Sequence, residues 1–269
     1  MSDKFHGTPC WYELATSKGK LAAAGKFYSE IFGWQIADSG MPGFTYHLAK
    51  FDGDMVAGLM EIPEDVAGMP PNWMIYFSVA DADQFVADAK AAGASVHREP
   101  ADIPQTGRFA ILSDPQGAAF GILQPDLSNM SEAEIAKAEA GEAAFNQRKS
   151  GHGHWHELMS SDPDAGFAFY SGLLGWTKGE AMDMGDMGTY QLFRHKGTDI
   201  GGMMGLGEAL VPNWLPYFGV DGSVATKIDE IKNAGGAIHH GPIEVPGPAW
   251  IAVAQDPHGA WFAVTGPEK

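Results

Sequence analysis

The chain is 269 residues long, 45% hydrophobic and 19% charged, the balance of an ordinary soluble globular protein of one or two domains. Seventeen Lys and Arg against thirty-four Asp and Glu give a formal charge of −17, which repels phosphate and excludes nucleic acid and anionic membranes as expected partners. Cys10 is the only cysteine, which excludes an intrachain disulfide and a thiolate metal cluster.

The excess of acid reads as a solubilising surface and identifies no ligand. The start, MSDKFHGTPCWYEL, has no apolar signal core, and no later run approaches a membrane span, so a cytoplasmic protein is expected. Cys10 has no evident activating neighbour and reads as a small buried hydrophobe.

In chain order, CWYEL (10–14) reads as a strand and KFYSEIFGW (26–34) as the helix after it. VAGLM (56–60) carries small residues that leave room for a ligand or let strands approach closely. PNWMIYFSV (71–79) is a strand, ADQFVADAKAAGA (82–94) a second helix, and DPQGAAF (114–120) a turn into the closing strand. Ser131 and Glu134 then form a capping box at the head of an Ala/Glu-rich linker helix. Asp162 and Pro163 open the next helix; Phe167, Phe169, Tyr170, Leu173 and Leu174 are its apolar positions and Gly175 stops it. AMDMGDMGTY (181–190) reads as a flexible loop at a pocket edge. YQLFRH (190–195), DIGGMM (199–204) and PYFGV (216–220) read as strands, and VATKIDEIKNAGG (224–236) as a helix. AWIAVAQ (249–255) and AWFAVTG (260–266) close the chain through the turn DPHG.

The order is written twice. CWYEL returns as HWHEL (154–158), KFYSEIFGW as AFYSGLLGW (168–176), PNWMIYFSV as PNWLPYFGV (212–220) and DPQGAAF as DPHGAWF (256–262). The shift is 144 residues from Cys10 to His154 and 141 from Pro71 to Pro212. Two homologous modules, 7–124 and 151–266, joined by a helical linker over 125–150, are therefore expected. The fold class is α+β, with each module built from two βαβββ units.

FYxxxxGW, NWxxYFxV, a helix ending in Ala-Gly-Ala or Ala-Gly-Gly, and DPxGAxF, in this order and twice, resemble the vicinal oxygen chelate superfamily. This is the fold of glyoxalases, bleomycin-resistance proteins and extradiol dioxygenases, and the pattern is similar to its two-module glyoxalase-like group. The resemblance implies that each module's mixed sheet curls into a cup, with metal ligands, His and Glu, on its inner face. Counted onto this chain, those ligand positions fall on Trp11, Met74 and Gly121 in the first module and on Trp155, Leu215 and Ala263 in the second. None of these six is a metal ligand, so no metal and no other cofactor is expected.

HGHWHELM (151–158) draws the eye as a metal motif, yet strand alternation sends His154 and His156 to the face opposite Trp155. The first module has Cys10 and Tyr12 there, so the histidines read as an interfacial or surface pair. The dipeptide at 239–240 places its histidines on opposite faces, HWHE lacks the HExxH spacing, and GGMMGLG is followed by no helix, so neither a zinc protease nor a dinucleotide loop is indicated.

Trp11 and Glu13 share a face, as do Trp155 and Glu157. Each carboxylate under its indole is a candidate general base or ligand acceptor, or else a structural glutamate bonded to a neighbouring strand or an Arg. Tyr76 follows Met74 and Tyr217 follows Leu215 on the same faces, as candidate donors to a ligand carbonyl or oxyanion. Trp73 and Trp214 fall on the other face, as core. Aromatic walls with few polar groups describe a pocket for a planar ligand, lined by Trp11, Trp155, Met74, Leu215, Gly121 and Ala263.

Three functions follow. One is a metal-independent lyase or isomerase acting on a small carbonyl or aromatic compound, with Glu13, Glu157, Tyr76 and Tyr217 catalytic. A second is a non-catalytic, resistance-type protein that sequesters a drug or metabolite. The third, metal-dependent glyoxalase I or extradiol dioxygenase chemistry, lacks its ligands. The expected partner is a small molecule, and a homodimer is compatible with any of the three.

Overall fold

A computed structural model describes residues 4–269 apart from 42, 67 and 248. Its first module runs β1 (Pro9–Thr16), α1 (Leu21–Phe32), β2 (Gln35–Asp38), β3 (Tyr46–Phe51), β4 (Asp54–Glu61), β5 (Asn72–Ser78), α2 (Ala82–Ala91), β6 (Ser95–Ile103), β7 (Gly107–Ser113) and β8 (Ala119–Pro125). After α3 (Glu132–Glu139) the order repeats as β9 (Gly153–Ser160), α4 (Pro163–Leu174), β10 (Thr177–Asp183), β11 (Thr189–His195), β12 (Thr198–Gly205), β13 (Asn213–Gly219), α5 (Val224–Asn233), β14 (Ala237–Val245), β15 (Ala249–Gln255) and β16 (Trp261–Gly266). The expected α+β class with two βαβββ units per module is what the chain adopts.

Each module supplies one eight-stranded mixed sheet. The halves of the first run β2-β3-β4-β1 and β5-β8-β7-β6, and those of the second β10-β11-β12-β9 and β13-β16-β15-β14. β1 pairs with β4, β5 with β8, β9 with β12 and β13 with β16 in parallel, a register that requires the crossover helices. The edge strands β10 and β14 gave no apolar signal because they are half-exposed, as edge strands are, and β14 carries bulges around Pro242. The Met-rich segment is not a plain loop: residues 181–183 end β10, Gly185–Met187 form one 3-10 turn, and residues 189–190 open β11.

The helix boundaries have local causes. The Asp162 carboxylate accepts from the Ala165 N–H at the head of α4, and Pro163 occupies the first turn, where a missing N–H costs nothing. Gly33 and Gly175 end α1 and α4 in the left-handed region, at φ 70° and 69°. The capping box of α3 is present in both directions, and this helix buries no residue.

The chain divides into two compact units that take halves from both modules. The first comprises Met1–Cys10, Ile75–Glu142 and Trp155–Trp214, and the second Trp11–Met74, Ala143–His154 and Leu215–Lys269. Each has its own aromatic core. In the second unit the Tyr28 ring stacks near Trp34, meets Trp73 edge-on and donates its hydroxyl to Asp256 at 3.0 Å, while Trp73 Nε1 donates back to that hydroxyl at 2.9 Å. In the first unit Tyr170, Trp176, Trp214 and Asp114 repeat the arrangement. The other oxygen of Asp114 accepts from the backbone N–H groups of Gln116, Gly117 and Ala118 and ties its turn. Within each unit the motifs FYxxxxGW, NW and DPxG are thus parts of one buried network, and Trp73 and Trp214 are core residues as expected.

Candidate functional site

β1 alternates as expected: Tyr12 and Leu14 are fully buried in the second unit, whereas Trp11 and Glu13 on the other face are only partly covered. The two are joined through a residue that pattern reading did not single out. Trp11 Nε1 donates to the Tyr46 hydroxyl at 2.9 Å, and that hydroxyl donates to Glu13 Oε2 at 2.8 Å. Tyr46 reaches Glu13 from β3 by crossing β4 at Gly58, the register partner of Glu13. A Cβ at Gly58 would lie 1.8 Å from the Tyr46 hydroxyl oxygen, so glycine is required here by the tyrosine.

The first unit repeats this triad. Trp155 Nε1 donates to the Tyr190 hydroxyl at 2.8 Å, and Tyr190 hydrogen-bonds Glu157. Gly202, the register partner of Glu157, makes room for the Tyr190 ring, since its Cβ would lie 2.2 Å from Tyr190 Cε1. The small residues read as space for a ligand or a strand therefore accommodate tyrosines at Gly58 and Gly202. Burial pushes both phenols well above their ordinary pKa, and the adjacent glutamates add to the effect, against the Trp N–H bonds. Both tyrosines accordingly remain protonated donors that fix the orientation of their carboxylates. A signal for them exists in the sequence: TYHL (45–48) and TYQL (189–192) recur, and each tyrosine lies 35 residues after its tryptophan.

The remaining expected residues divide between the units. The first unit holds Trp155 and Glu157 together with Tyr76 and Gly121; the second holds Trp11, Glu13, Met74, Leu215, Tyr217 and Ala263. Tyr76 is buried, and its ring covers its register partner Gly121, whose Cβ would lie 2.2 Å from Tyr76 Cδ1. Tyr217 is buried likewise and pairs in register with Ala263, which is fully covered; Leu215 is buried and Met74 half-buried. A hollow of about 320 Å³ beside the C-terminal end of α1, lined by Ile31, Phe51, Asp221 and Lys227 among others, contains none of these residues.

The histidines of HGHWHELM are not a surface pair; the interfacial alternative holds for His156, which packs beside Phe77 of the first module. His156 is fully buried in the first unit, its Nδ1 hydrogen-bonded to the Ile200 carbonyl at 2.6 Å, and burial pushes its pKa down to about 4. His154 belongs to the second unit, where it is half-buried over Gly219 with Nε2 on the Lys149 carbonyl at 2.7 Å. The reason is the core: Phe77 packs beside His156, leaving that position no access to water.

A family model described as the Glyoxalase/Bleomycin resistance protein/Dioxygenase superfamily matches residues 14–122. The "Putative glyoxylase CFP32" of Mycobacterium tuberculosis (strain CDC 1551 / Oshkosh) is 33% identical, aligning 99% of this chain with 97% of that protein. The chain belongs to the glyoxalase/bleomycin resistance/dioxygenase superfamily. The "Anthracycline biosynthesis protein DnrV" of Streptomyces peucetius is a second relative, 30% identical over 96% of this chain and 92% of its own length. The Mn(II)-bound glyoxalase from Novosphingobium aromaticivorans has the same fold, with a TM-score of 0.62 at 16% identity, covering 98% of this chain and 83% of that one.

A metal of the kind that this superfamily uses does not fit the residues present. At the six positions onto which the resemblance counts the family's ligands, an indole N–H donates and has no lone pair to give, Met74 offers only a thioether sulfur, and Gly121, Leu215 and Ala263 have no side-chain donor atom. The Tyr76 ring also occupies the space over Gly121. Among the described residues no group of three or more His, Cys, Asp or Glu converges on a point.

Proposed function

We propose that this superfamily member binds a small carbonyl or hydroxylated aromatic compound against Glu13 and Glu157, and that it acts on it as a lyase or isomerase without a metal at the family's ligand positions. The observation that carries the reading is the Trp–Tyr–Glu triad, built twice with the same hydrogen-bond direction. A carboxylate oriented by a tyrosine hydroxyl suits abstraction of a proton next to a carbonyl, and equally acceptance of a ligand hydroxyl. Tyr76 and Tyr217 are buried and are assigned no step. The relatives named for glyoxylase and for anthracycline biosynthesis support a small organic ligand.

The test is proton exchange. Hydroxylated aryl ketones are incubated with the protein in deuterated water, and exchange at the carbon beside the carbonyl is followed by NMR. Glu13→Gln with Glu157→Gln is expected to abolish exchange and leave ligand affinity within about threefold. Exchange that persists in the double variant removes the two glutamates from the mechanism.

A sequestering protein is the second reading, favoured by one detail. Glu13 already holds the Tyr46 donor at 2.8 Å, the arrangement of a hydrogen-bond acceptor as much as of a base. Tight binding of the same ketones without any exchange decides for it.

A further inference from the structure

The segment before β1 lies against the first unit as a strap, and the repeat builds the same contact in the second. The Gly7 N–H donates to the Ser78 carbonyl at 2.8 Å, and Trp176 Nε1 donates to the Gly7 carbonyl at 2.8 Å. In the second unit the Gly151 N–H donates to Gly219 and Trp34 Nε1 to Gly151, at the same two distances. A ring lies against each glycine. A Cβ at Gly151 would come within 2.7 Å of the Phe51 ring, and one at Gly7 within 3.0 Å of the His195 ring. Phe51 ends β3 and His195 ends β11, so an imidazole stands where the other copy has a phenyl ring.

This difference leaves His195 without hydrogen bonds. Both of its ring nitrogens are enclosed, and neither has a partner among the described residues. Burial, and after it the charges of Lys196 and His6, pushes its pKa down to about 4. Lys196 follows it on β11's turn and donates to the Lys4 carbonyl of the strap. The carboxylates on neighbouring elements already serve other cations, Glu139 pairing with Lys4 at 2.9 Å and Asp199 with Arg194 at 2.6 Å. The strap is held by few contacts besides. His6 donates from Nε2 to the Leu173 carbonyl at 2.7 Å and accepts the Ala80 N–H on Nδ1 at 3.3 Å, and Phe5 is buried.

We infer that residues 4–8 form an acid-sensitive latch on the first unit, released when His195 takes up a proton. Under the closed strap a protonated imidazole adds a cation beside Lys196 with no acceptor for either N–H; in the released state water solvates it. The closed-state pKa lies below the ordinary 6.5, so the latch holds fully above pH 6.5 and loosens as pH falls toward 4. Release frees Phe5 and the Trp176 indole N–H, an apolar surface offered only in acid. The second unit lacks this trigger. The ring against Gly151 does not titrate, and the imidazole packed edge-on to that ring, His152, has the Asp54 carboxylate 3.7 Å from its Nε2.

Amide hydrogen exchange of the full chain, followed by NMR, reads the latch at Gly7. With the intrinsic exchange rate divided out, its opening constant is expected to rise about thirtyfold from pH 7.5 to pH 5, the linkage of one group moving from 6.5 to about 4. His195→Phe, which installs the ring of the other copy, and His195→Gln are each expected to hold that rise below about threefold. A rise that survives either substitution in a folded protein assigns release to another group and overturns the latch. Unchanged protection of Gly7 in the intact protein overturns it as well. An equal rise at Tyr170, inside the buried face of α4, means that the whole unit opens, which overturns a local release.

Discussion

Glu13 owes its orientation to three residues that are far apart in sequence: Trp11 beside it, Tyr46 across β4, and Gly58 beneath the tyrosine. Removing the hydroxyl by Tyr46→Phe takes the donor from Glu13 and the acceptor from Trp11 Nε1. A loss of about 1–3 kcal/mol in unfolding free energy is expected from urea titration, the usual cost of stranding such a polar pair. Gly58→Ala forces a methyl group into the phenol and is expected to cost roughly 1–3 kcal/mol. A double-mutant cycle separates this steric effect from any other: when Tyr46→Ala is already present, Gly58→Ala should cost much less. Additive effects would show that Gly58 serves something other than Tyr46. The same reasoning applies to Gly202 and Tyr190.

At the scale of elements, the signals that local chemistry writes strongly were legible. Asp162, Pro163 and Gly175 mark both ends of α4, and Ser131 with Glu134 marks the head of α3. Asp162→Ala is expected to cost about 1 kcal/mol of global stability, since α4 buries Phe169, Tyr170 and Leu174 in its unit. Ser131→Ala should fray α3 and leave the urea midpoint nearly unchanged, because that helix buries nothing. Hydrogen exchange at Glu134 and Ile135 reads the difference. The edge strands were not legible, because a strand exposed to water needs no apolar alternation. The Met-rich segment was misread for a related reason: its methionines are at the surface of a hairpin turn, and Tyr190 at its end is the part that matters.

At the scale of the molecule, each compact unit joins half of one module to half of the other, and the pairs Tyr28–Asp256 and Tyr170–Asp114 lie inside those units. Stability should therefore fall when either pair is broken, and the cost of Tyr28→Phe and Tyr170→Phe should add, because the pairs lie in separate units. The pH dependence is carried in part by His156, held near 4 by burial against an ordinary value of 6.5. Between those values the unfolded chain binds the proton and the folded chain does not. Stability is then fully present above pH 6.5 and is lost as pH falls toward 4, by on the order of 3 kcal/mol. His156→Tyr, which places there the residue type that β1 has at Tyr12, is expected to flatten the slope of the urea midpoint between pH 7 and 4.5. An unchanged slope would assign the acid sensitivity to other groups.

The sequence by itself determined the repeat, the α+β class with two βαβββ units per module, the superfamily, and the shared face of each Trp–Glu pair. All of these follow from order and period, which the chain carries locally. Only the tertiary structure decided that halves of different modules pack into one unit, that His156 is core, and that Tyr46 and Tyr190 hold the two glutamates. Those contacts depend on what crosses a glycine or meets an aromatic ring from a distant segment, and neither periodicity nor motif spacing encodes such a meeting.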